Sequence, residues 1–292
     1  MTSSVWLEVA VNGPWSRARQ RLIPISVEEI VAEGIACAKA GAAIVHVHAY
    51  DEATGLQNDD PEIYVRIIEG IREVSDVIVY PTIPFATTEG VLSRDSASKR
   101  YSAFEYLGKR GLLEWGVIDP GSINLATFED CATEQPGFIY LNPKEHIQRG
   151  LQLAKQYLFT PSYAIYEPGF LRLGAALARA HVGLPPPIYR FMFTDRFTFG
   201  FPPEFFALEA YLQLLAREAG HAPWMVAGLG VDILPLIPYA VERGGHVRVG
   251  LEDAPLNTPT RNVTLVEDAV RTISSSGGQL ANAREIRELL RQ

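Results

Sequence analysis

Short apolar segments alternate with amphipathic segments along this chain, and the pair repeats eight times. The apolar segments are rich in β-branched and aromatic residues, and they predict eight strands at Val5–Val11, Ala43–His48, Val77–Tyr80, Trp115–Asp119, Ser162–Tyr166, Pro187–Phe193, Trp224–Leu229 and His246–Leu251. Strict alternation favours parallel strands joined by right-handed crossovers. Eight such units in 292 residues predict an α/β fold, a (β/α)8 TIM barrel, rather than two open sheets. We expect a single barrel domain over residues 1–292.

Several of the connecting segments carry helix signals. Ser26 and Glu29 form a capping box at the start of a helix that should end at Gly41, and Pro61 should open the next helix. The other predicted helices are Ser96–Gly108, Lys144–Leu158, Phe170–Ala180, Glu204–Ala219, Ile233–Glu242, Asn262–Ser274 and Ala283–Leu290.

Charge and cysteine content narrow the function classes. The chain carries 26 basic and 34 acidic residues, a formal charge of −8, without a basic run, so nucleic acid and anionic membranes are not expected partners. Apolar runs are too short for a membrane helix, and Met1–Ser4 does not resemble a signal peptide. The two cysteines fit a reducing compartment, and Cys37 is expected in a helix interior. These features predict a soluble cytoplasmic protein.

Two histidines at alternate positions of the second strand are the first candidate ligands. His46 and His48 should project from one face of that strand while Val45 and Val47 pack on the other. Closure of the barrel would place strand eight beside strand one and strand one beside strand two, so Glu252 should lie near His48 at the C-terminal mouth. Two imidazoles and one carboxylate suit a catalytic divalent ion such as Zn²⁺.

The alternative for His46 and His48 is hydrogen bonding within the core without a metal. Four other histidines are expected to be structural or solvated, because they lie in helices, in loops or at the opposite end of their strand: His146, His181, His221 and His246.

Several motifs together resemble the β-keto acid cleavage enzyme family, of the 3-keto-5-aminohexanoate cleavage enzyme type. The similarity is strongest in residues 1–80 and from about residue 220 onwards. The motifs are Asn12-Gly13, the helix start around Ser26-Val27-Glu28-Glu29, His46-Val47-His48, Trp224–Gly230 and Gly244–Asp253.

The resemblance implies a zinc-dependent TIM barrel that forms homo-oligomers, usually tetramers. Such enzymes condense a β-keto acid with acetyl-CoA and release acetoacetate and a new CoA thioester. By that resemblance His46, His48 and Glu252 would hold Zn²⁺, and Asp253 would be the base, positioned by Arg248. A structural ion pair at a strand end is the alternative role for Arg248 and Asp253.

The loops depart from the family pattern at substrate-contacting positions. Where members carry a Ser-Thr-Gly-Gly turn for the substrate carboxylate, this chain has Pro81–Phe85, which keeps one hydroxyl, Thr82. A Gly-rich loop after strand six is replaced by an aromatic one, and the basic segment Ser16–Arg21 either compensates or is solvated.

The pocket residues predict the kind of substrate. Members that take amino-bearing substrates place acidic residues where this chain has Trp15 and Ala164. We therefore expect an uncharged or apolar keto-acid side chain, in a pocket lined by Trp15, Tyr50, Phe85 and Ala164, although these aromatic residues could instead pack loops.

Two other functions remain open from the sequence. One is a CoA-independent lyase or hydrolase that uses the same metal, although an amidohydrolase is disfavoured because strands five and six contain no histidine. The other is a non-catalytic metal-binding barrel, against which Arg248 and Asp253 argue.

Overall fold

Eight parallel strands surround the centre of the computed structural model, which describes residues 4–86, 95–134 and 137–291. Their bounds are β1 Leu7–Ala10, β2 Ile44–Val47, β3 Ile78–Pro81, β4 Trp115–Val117, β5 Thr160–Ile165, β6 Ile188–Phe193, β7 Trp224–Gly228 and β8 His246–Val249. Hydrogen-bonded neighbours follow the order β3-β2-β1-β8-β7-β6-β5-β4. The barrel is therefore nearly closed, and the predicted TIM-barrel fold is confirmed.

Strand pairing around β1 decides where the candidate ligands meet. Val247 to Val249 of β8 pair with Leu7 to Val9, and Glu8 to Ala10 pair with Ile44 to His46. Strand β1 thus lies between β2 and β8, as the closure argument predicted, and the segments after these strands open on the same mouth of the barrel.

Helices pack around the sheet and follow the strands as predicted. They are α1 Val27–Ala40, α2 Pro61–Arg72, α3 Ser96–Arg100, α4 Ser102–Lys109, α5 Lys144–Tyr157, α6 Pro168–Ala180, α7 Phe205–Ala219, α8 Ile237–Glu242, α9 Asn262–Ser275 and α10 Ala283–Leu290. The capping box of Ser26 and Glu29 starts α1, and Gly41 ends it at φ +124°. Buried aliphatic and aromatic residues of strands and helices form the main core.

Local structure differs from the prediction at several points. The helix expected at Ser96–Gly108 is two helices separated at Tyr101, and the one expected from Ile233 begins with a 3-10 turn at Leu234–Leu236. Short extra strand pairs join Ser4–Val5 to Gln279–Leu280, Tyr50–Asp51 to Leu56–Gln57, and Ile123–Leu125 to Phe138–Tyr140. The sequence missed these pairs because segments of two or three residues have no measurable periodicity.

No described helix is long and apolar enough to cross a membrane.

Candidate metal and substrate site

Three side chains from distant parts of the chain converge at the mouth of the barrel. Nε2 of His46 and Nε2 of His48 each lie 3.5 Å from Oε2 of Glu252. Two ligands about 2.1 Å from a tetrahedral ion would lie roughly 3.4 Å apart. The two histidines are buried and Glu252 is nearly so. The arrangement therefore has the dimensions of a small metal site.

Unpaired polar atoms support the same conclusion. Nε2 of His48 and Oε2 of Glu252 are buried and have no hydrogen-bond partner in the described part of the chain. A buried acceptor without a partner costs about 1–3 kcal/mol, which a cation between the atoms would offset. The three residues thus fit a divalent ion, and two imidazoles with one carboxylate are the donor set of catalytic zinc sites.

The protonation states suit metal binding. Burial lowers the pKa of His46 well below its usual value, and the positive charge of Arg248 lowers it further. Burial would raise the pKa of Glu252, but Arg248 and the two imidazoles hold it well below its usual value. At neutral pH the site therefore presents a neutral imidazole at His46 and an ionised carboxylate at Glu252.

Neighbouring side chains fix the orientation of His48. Its Nδ1 lies 2.9 Å from Oε1 of Gln57, which leaves Nε2 as the free lone pair when Nδ1 carries the proton. Asn12 donates from Nδ2 to the carbonyl of His48 and accepts the His48 backbone N–H at Oδ1, both at 2.9 Å. Gln57 therefore orients the imidazole, and Asn12 holds the backbone of the same residue.

Two glycines let the segment that carries Glu252 approach strand β1. A Cβ on Gly250 (φ +138°) would lie 2.2 Å from the carbonyl oxygen of Ala10, and one on Gly13 (φ +67°) would lie 2.5 Å from Cγ of Glu252. Only glycine fits both the space and the dihedral angle at these positions.

Arg248 organises the carboxylates below the three candidate ligands. Its Nε and Nη2 donate to the two oxygens of Asp253 at 2.7 and 2.9 Å, and Nη2 also lies 2.9 Å from Oε1 of Glu252. Its Nη1 donates to Glu8 at 3.0 Å, and Tyr80 donates to the same Glu8 oxygen at 2.6 Å. Oε1 of Glu252 thus contacts Arg248, and Oε2 points towards the histidines.

Burial raises the pKa of Asp253 to about 6, against the opposing effect of Arg248. A carboxyl group with such a pKa is suited to exchange protons near neutral pH. Asp253 is 3 % exposed, and it does not line the cavity as the described residues define it.

A cavity of about 410 Å³ opens in front of the three candidate ligands. Its wall also contains Trp15, Thr82 and Phe85. Asp119 and Arg190 line it as well, both nearly fully buried, and exposed Arg19 and Arg196 also border it. Its size is within the range of small-molecule sites.

A family model and several known proteins match this chain. The family model for beta-keto acid cleavage enzymes matches residues 4–291. The chain belongs to this family.

One relative is a 3-oxoadipate:acetyl-CoA acetyltransferase from Cupriavidus necator. It is 27 % identical over 99 % of this chain and 95 % of that protein. A 3-keto-5-aminohexanoate cleavage enzyme from Fusobacterium nucleatum is 25 % identical over 92 % of this chain and 90 % of that enzyme.

Among solved structures, apo ObcA superposes with a TM-score of 0.70 at 14 % identity. The match covers 92 % of this chain and 65 % of ObcA, so this chain spans about two thirds of ObcA. At this identity the likeness concerns the fold alone.

The site residues expected from sequence fall into two groups in this member of the family. The candidate ligands and Arg248 with Asp253 come together, and Trp15, Thr82 and Phe85 reach the cavity. Tyr50 and Ala164 do not line it within the described ranges. The Tyr50 hydroxyl donates to the carbonyls of Gly13 and Trp15, and Ala164 packs in a small apolar cluster.

Sequence reasoning missed the buried charges of the cavity wall. Arg190 interrupts the apolar strand β6, and Asp119 follows β4 at the mouth. A single charged residue in a strand with an otherwise buried pattern was the available signal, because such a residue is rarely buried unless it is paired or functional.

Proposed function

We propose that this chain is a divalent-metal-dependent β-keto acid cleavage enzyme that uses acetyl-CoA as its second substrate. The CH2–COO⁻ fragment of the keto acid would be transferred to the acetyl group to form acetoacetate, and the remaining acyl group would leave as its CoA thioester. The observation that carries the proposal is the convergence of His46, His48 and Glu252 beside the Arg248–Asp253 pair.

The metal would be held by His46, His48 and Glu252, and zinc is the ion that their donor atoms suit best. A divalent cation at this position supplies positive charge next to the keto oxygen, which makes the neighbouring carbon more acidic. The unpaired Oε2 of Glu252 and Nε2 of His48 support this placement.

Asp253 would remove the proton from the carbon between the keto and carboxylate groups. The raised pKa of about 6 places it near the range in which a carboxylate accepts a proton at neutral pH. Arg248 would position this carboxylate, because its two hydrogen bonds fix the plane of the carboxylate. Asp253 must come within hydrogen-bond distance of the substrate to do so.

The other parts of the sequence-based proposal concern the substrate and the assembly. Thr82 on the cavity wall offers a hydroxyl to the substrate carboxylate. The uncharged or apolar side chain expected from the sequence stays a prediction, and of the described residues that it was based on, Trp15 lines the cavity and Ala164 does not. The expected homotetramer also stays a prediction, and size-exclusion chromatography with light scattering would measure it.

The test is acetoacetate formation from a panel of β-keto acids, with and without acetyl-CoA. Activity should require both substrates, disappear when a chelator removes the metal, and return with Zn²⁺. Asp253→Asn should abolish turnover while metal content stays constant. Asp76→Asn is the matched control, since Asp76 is exposed and pairs with Arg287 away from the cavity.

Each alternative gives a different result in the same experiment. Turnover without acetyl-CoA would indicate a CoA-independent lyase. A tightly held metal without turnover of any keto acid would indicate a non-catalytic barrel. Full activity in Asp253→Asn would remove Asp253 as the base.

A further inference from the structure

Arg190 is a buried charged residue in strand β6. It is 3 % exposed and borders the same cavity as the candidate metal ligands. Its Nε is buried and has no hydrogen-bond partner among the residues that the structure describes. Its ion pair with Asp119 spans 3.8 Å from Nη2 to Oδ1, which is longer than a hydrogen bond.

Burying an incompletely paired guanidinium costs folding free energy. Burial removes water from the charged group, and this desolvation energy is offset only when hydrogen-bond partners satisfy the N–H donors of the guanidinium. Arg190 has the opposite charge nearby but lacks a partner at Nε. Arg190 as a whole borders the cavity, so a ligand there can bring an acceptor to a guanidinium that the protein pairs incompletely.

Asp119 orients Arg190 and is itself unsuited to bind a cation. Its Oδ1 accepts the backbone N–H of Ala164 at 2.9 Å, and its Oδ2 accepts the hydroxyl of Tyr140 at 2.5 Å. Both oxygens are therefore engaged, while the donors of Arg190 are not all used. The local imbalance is an excess of donors, which calls for an anion.

The position of Arg190 in the ring of strands determines which part of a ligand it meets. His46 lies in β2 and His48 just after it, and β6 is four strands away on either path around an eight-stranded barrel, so Arg190 lies on the opposite side of the barrel from the histidines. A substrate whose keto group lies at the metal ligands would extend its side chain towards Arg190.

We propose that Arg190 binds a carboxylate at the far end of the keto-acid side chain, so that the substrate is a β-keto dicarboxylic acid. This rests on the proposed function for the reaction itself. It is an alternative to the uncharged side chain expected from the sequence, which did not assign Arg190 to the cavity, and the substrate comparison below decides between the two. A planar guanidinium suits a carboxylate, to which it donates two hydrogen bonds.

The first arm of the test compares substrates on the unaltered protein. The probes are 3-oxoadipate, its one-carbon-longer homologue, and for each the analogue whose terminal carboxylate is an amide. Since a hydrogen bond to a charged group contributes about 1.5–3 kcal/mol, the acid should have a kcat/KM roughly 10- to 100-fold above that of its amide. Equal values for acid and amide at both lengths would overturn the proposal.

The second arm uses Arg190→Met and, as the charge-retaining variant, Arg190→Lys. Arg190→Met should lower kcat/KM for the acid roughly 10- to 100-fold more than for the amide, and Arg190→Lys should keep part of the preference. Equal losses with acid and amide would mean that Arg190 binds the carboxylate common to all β-keto acids, which contradicts the proposal. If Arg190→Met does not fold, the acid-to-amide ratio of kcat/KM in Arg190→Lys and in the unaltered protein tests the proposal.

A binding measurement separates failure of this proposal from failure of the reaction. Calorimetric titration with the unreactive glutarate and butyrate needs no turnover. Glutarate should bind at least about 10-fold more tightly than butyrate, and Arg190→Met should abolish the difference. Preferential binding of glutarate without turnover of any keto acid would support the carboxylate site and contradict the proposed reaction. Turnover of a keto acid without preferential binding of glutarate would support the reaction and contradict the carboxylate site.

Discussion

Gly13 lies directly against the side chain of Glu252, although the two residues are 239 positions apart in the sequence. A Cβ on Gly13 would fall 2.5 Å from Cγ and 2.9 Å from Cβ of Glu252, distances that real side chains do not adopt. The turn after β1 therefore determines where the carboxylate from the other end of the chain can lie.

Gly13→Ala should reduce metal content by displacing Glu252. The backbone angle of +67° adds about 1–2 kcal/mol of strain to an alanine there. Gly55→Ala is the matched control, because Gly55 has φ +66° and open space around its Cβ position. Gly13→Ala should lose more stability than Gly55→Ala in thermal unfolding, because its Cβ also displaces Glu252, and only Gly13→Ala should lose metal by elemental analysis. Equal metal content in the two would contradict this prediction.

Gln57 should tune metal affinity through His48. Its Oε1 faces Nδ1 of His48 at 2.9 Å, and its Nε2 donates to Asp59 at 2.9 Å, so the amide is itself held in place. Removal of a residue that orients a metal-binding histidine typically costs 10- to 100-fold in affinity, about the loss expected for Gln57→Ala. Competition with a zinc chelator would measure it. Glu52→Ala, at an exposed position of the same hairpin, should leave the affinity unchanged.

Arg248→Lys should lower kcat while changing KM little. Lysine cannot form the two parallel hydrogen bonds that hold Asp253, so the carboxylate would lose its fixed orientation. A loss of about 100-fold in kcat is expected if Asp253 acts as the base. Steady-state kinetics and metal content should be measured together, because Arg248 also contacts Glu252.

The control for Arg248→Lys is Arg243→Lys, which changes a partly exposed pair with Glu209 by the same substitution. Exposed pairs contribute about 0–1 kcal/mol, so neither activity nor metal content should change. A normal kcat in Arg248→Lys would assign Arg248 and Asp253 a structural role only.

His246 should make stability depend on pH. Burial lowers its pKa from 6.5 to about 3, while it accepts the backbone N–H of Trp6 at Nδ1 and stacks on the Trp6 ring. As the pH falls from 6.5 towards 3, the unfolded chain binds a proton that the folded chain does not, so stability is present above 6.5 and decreases on acidification. The slope is about 1.4 kcal/mol per pH unit for this residue.

The comparison that isolates this residue is His246→Asn, whose side-chain oxygen can still accept from Trp6. Urea unfolding of both proteins between about pH 6.5 and pH 5 should give a shallower slope for the variant, by up to one proton. Parallel slopes would show that His246 is not the group responsible.

The sequence predicted the strands well because a parallel strand buried on both faces is a continuous apolar run. β6 and β7 differ from their predicted bounds by one residue at an end. The Ser96–Gly108 helix was predicted as one element because its apolar spacing continues through Tyr101, where the backbone departs from helical angles. Turn angles at such a break depend on packing rather than on periodicity.

Sequence alone determined the alternation that closes the barrel, the common face of His46 and His48, and the position of Glu252 and Asp253 after the last strand. These follow from strand geometry and from the ring order of parallel strands, which are local and topological properties. Only the tertiary structure decided that Oε2 of Glu252 turns to the histidines, that Tyr50 braces a loop, and that Arg190 borders the cavity. Those outcomes depend on side-chain directions and on contacts between segments far apart in the chain, which no periodicity in the sequence encodes.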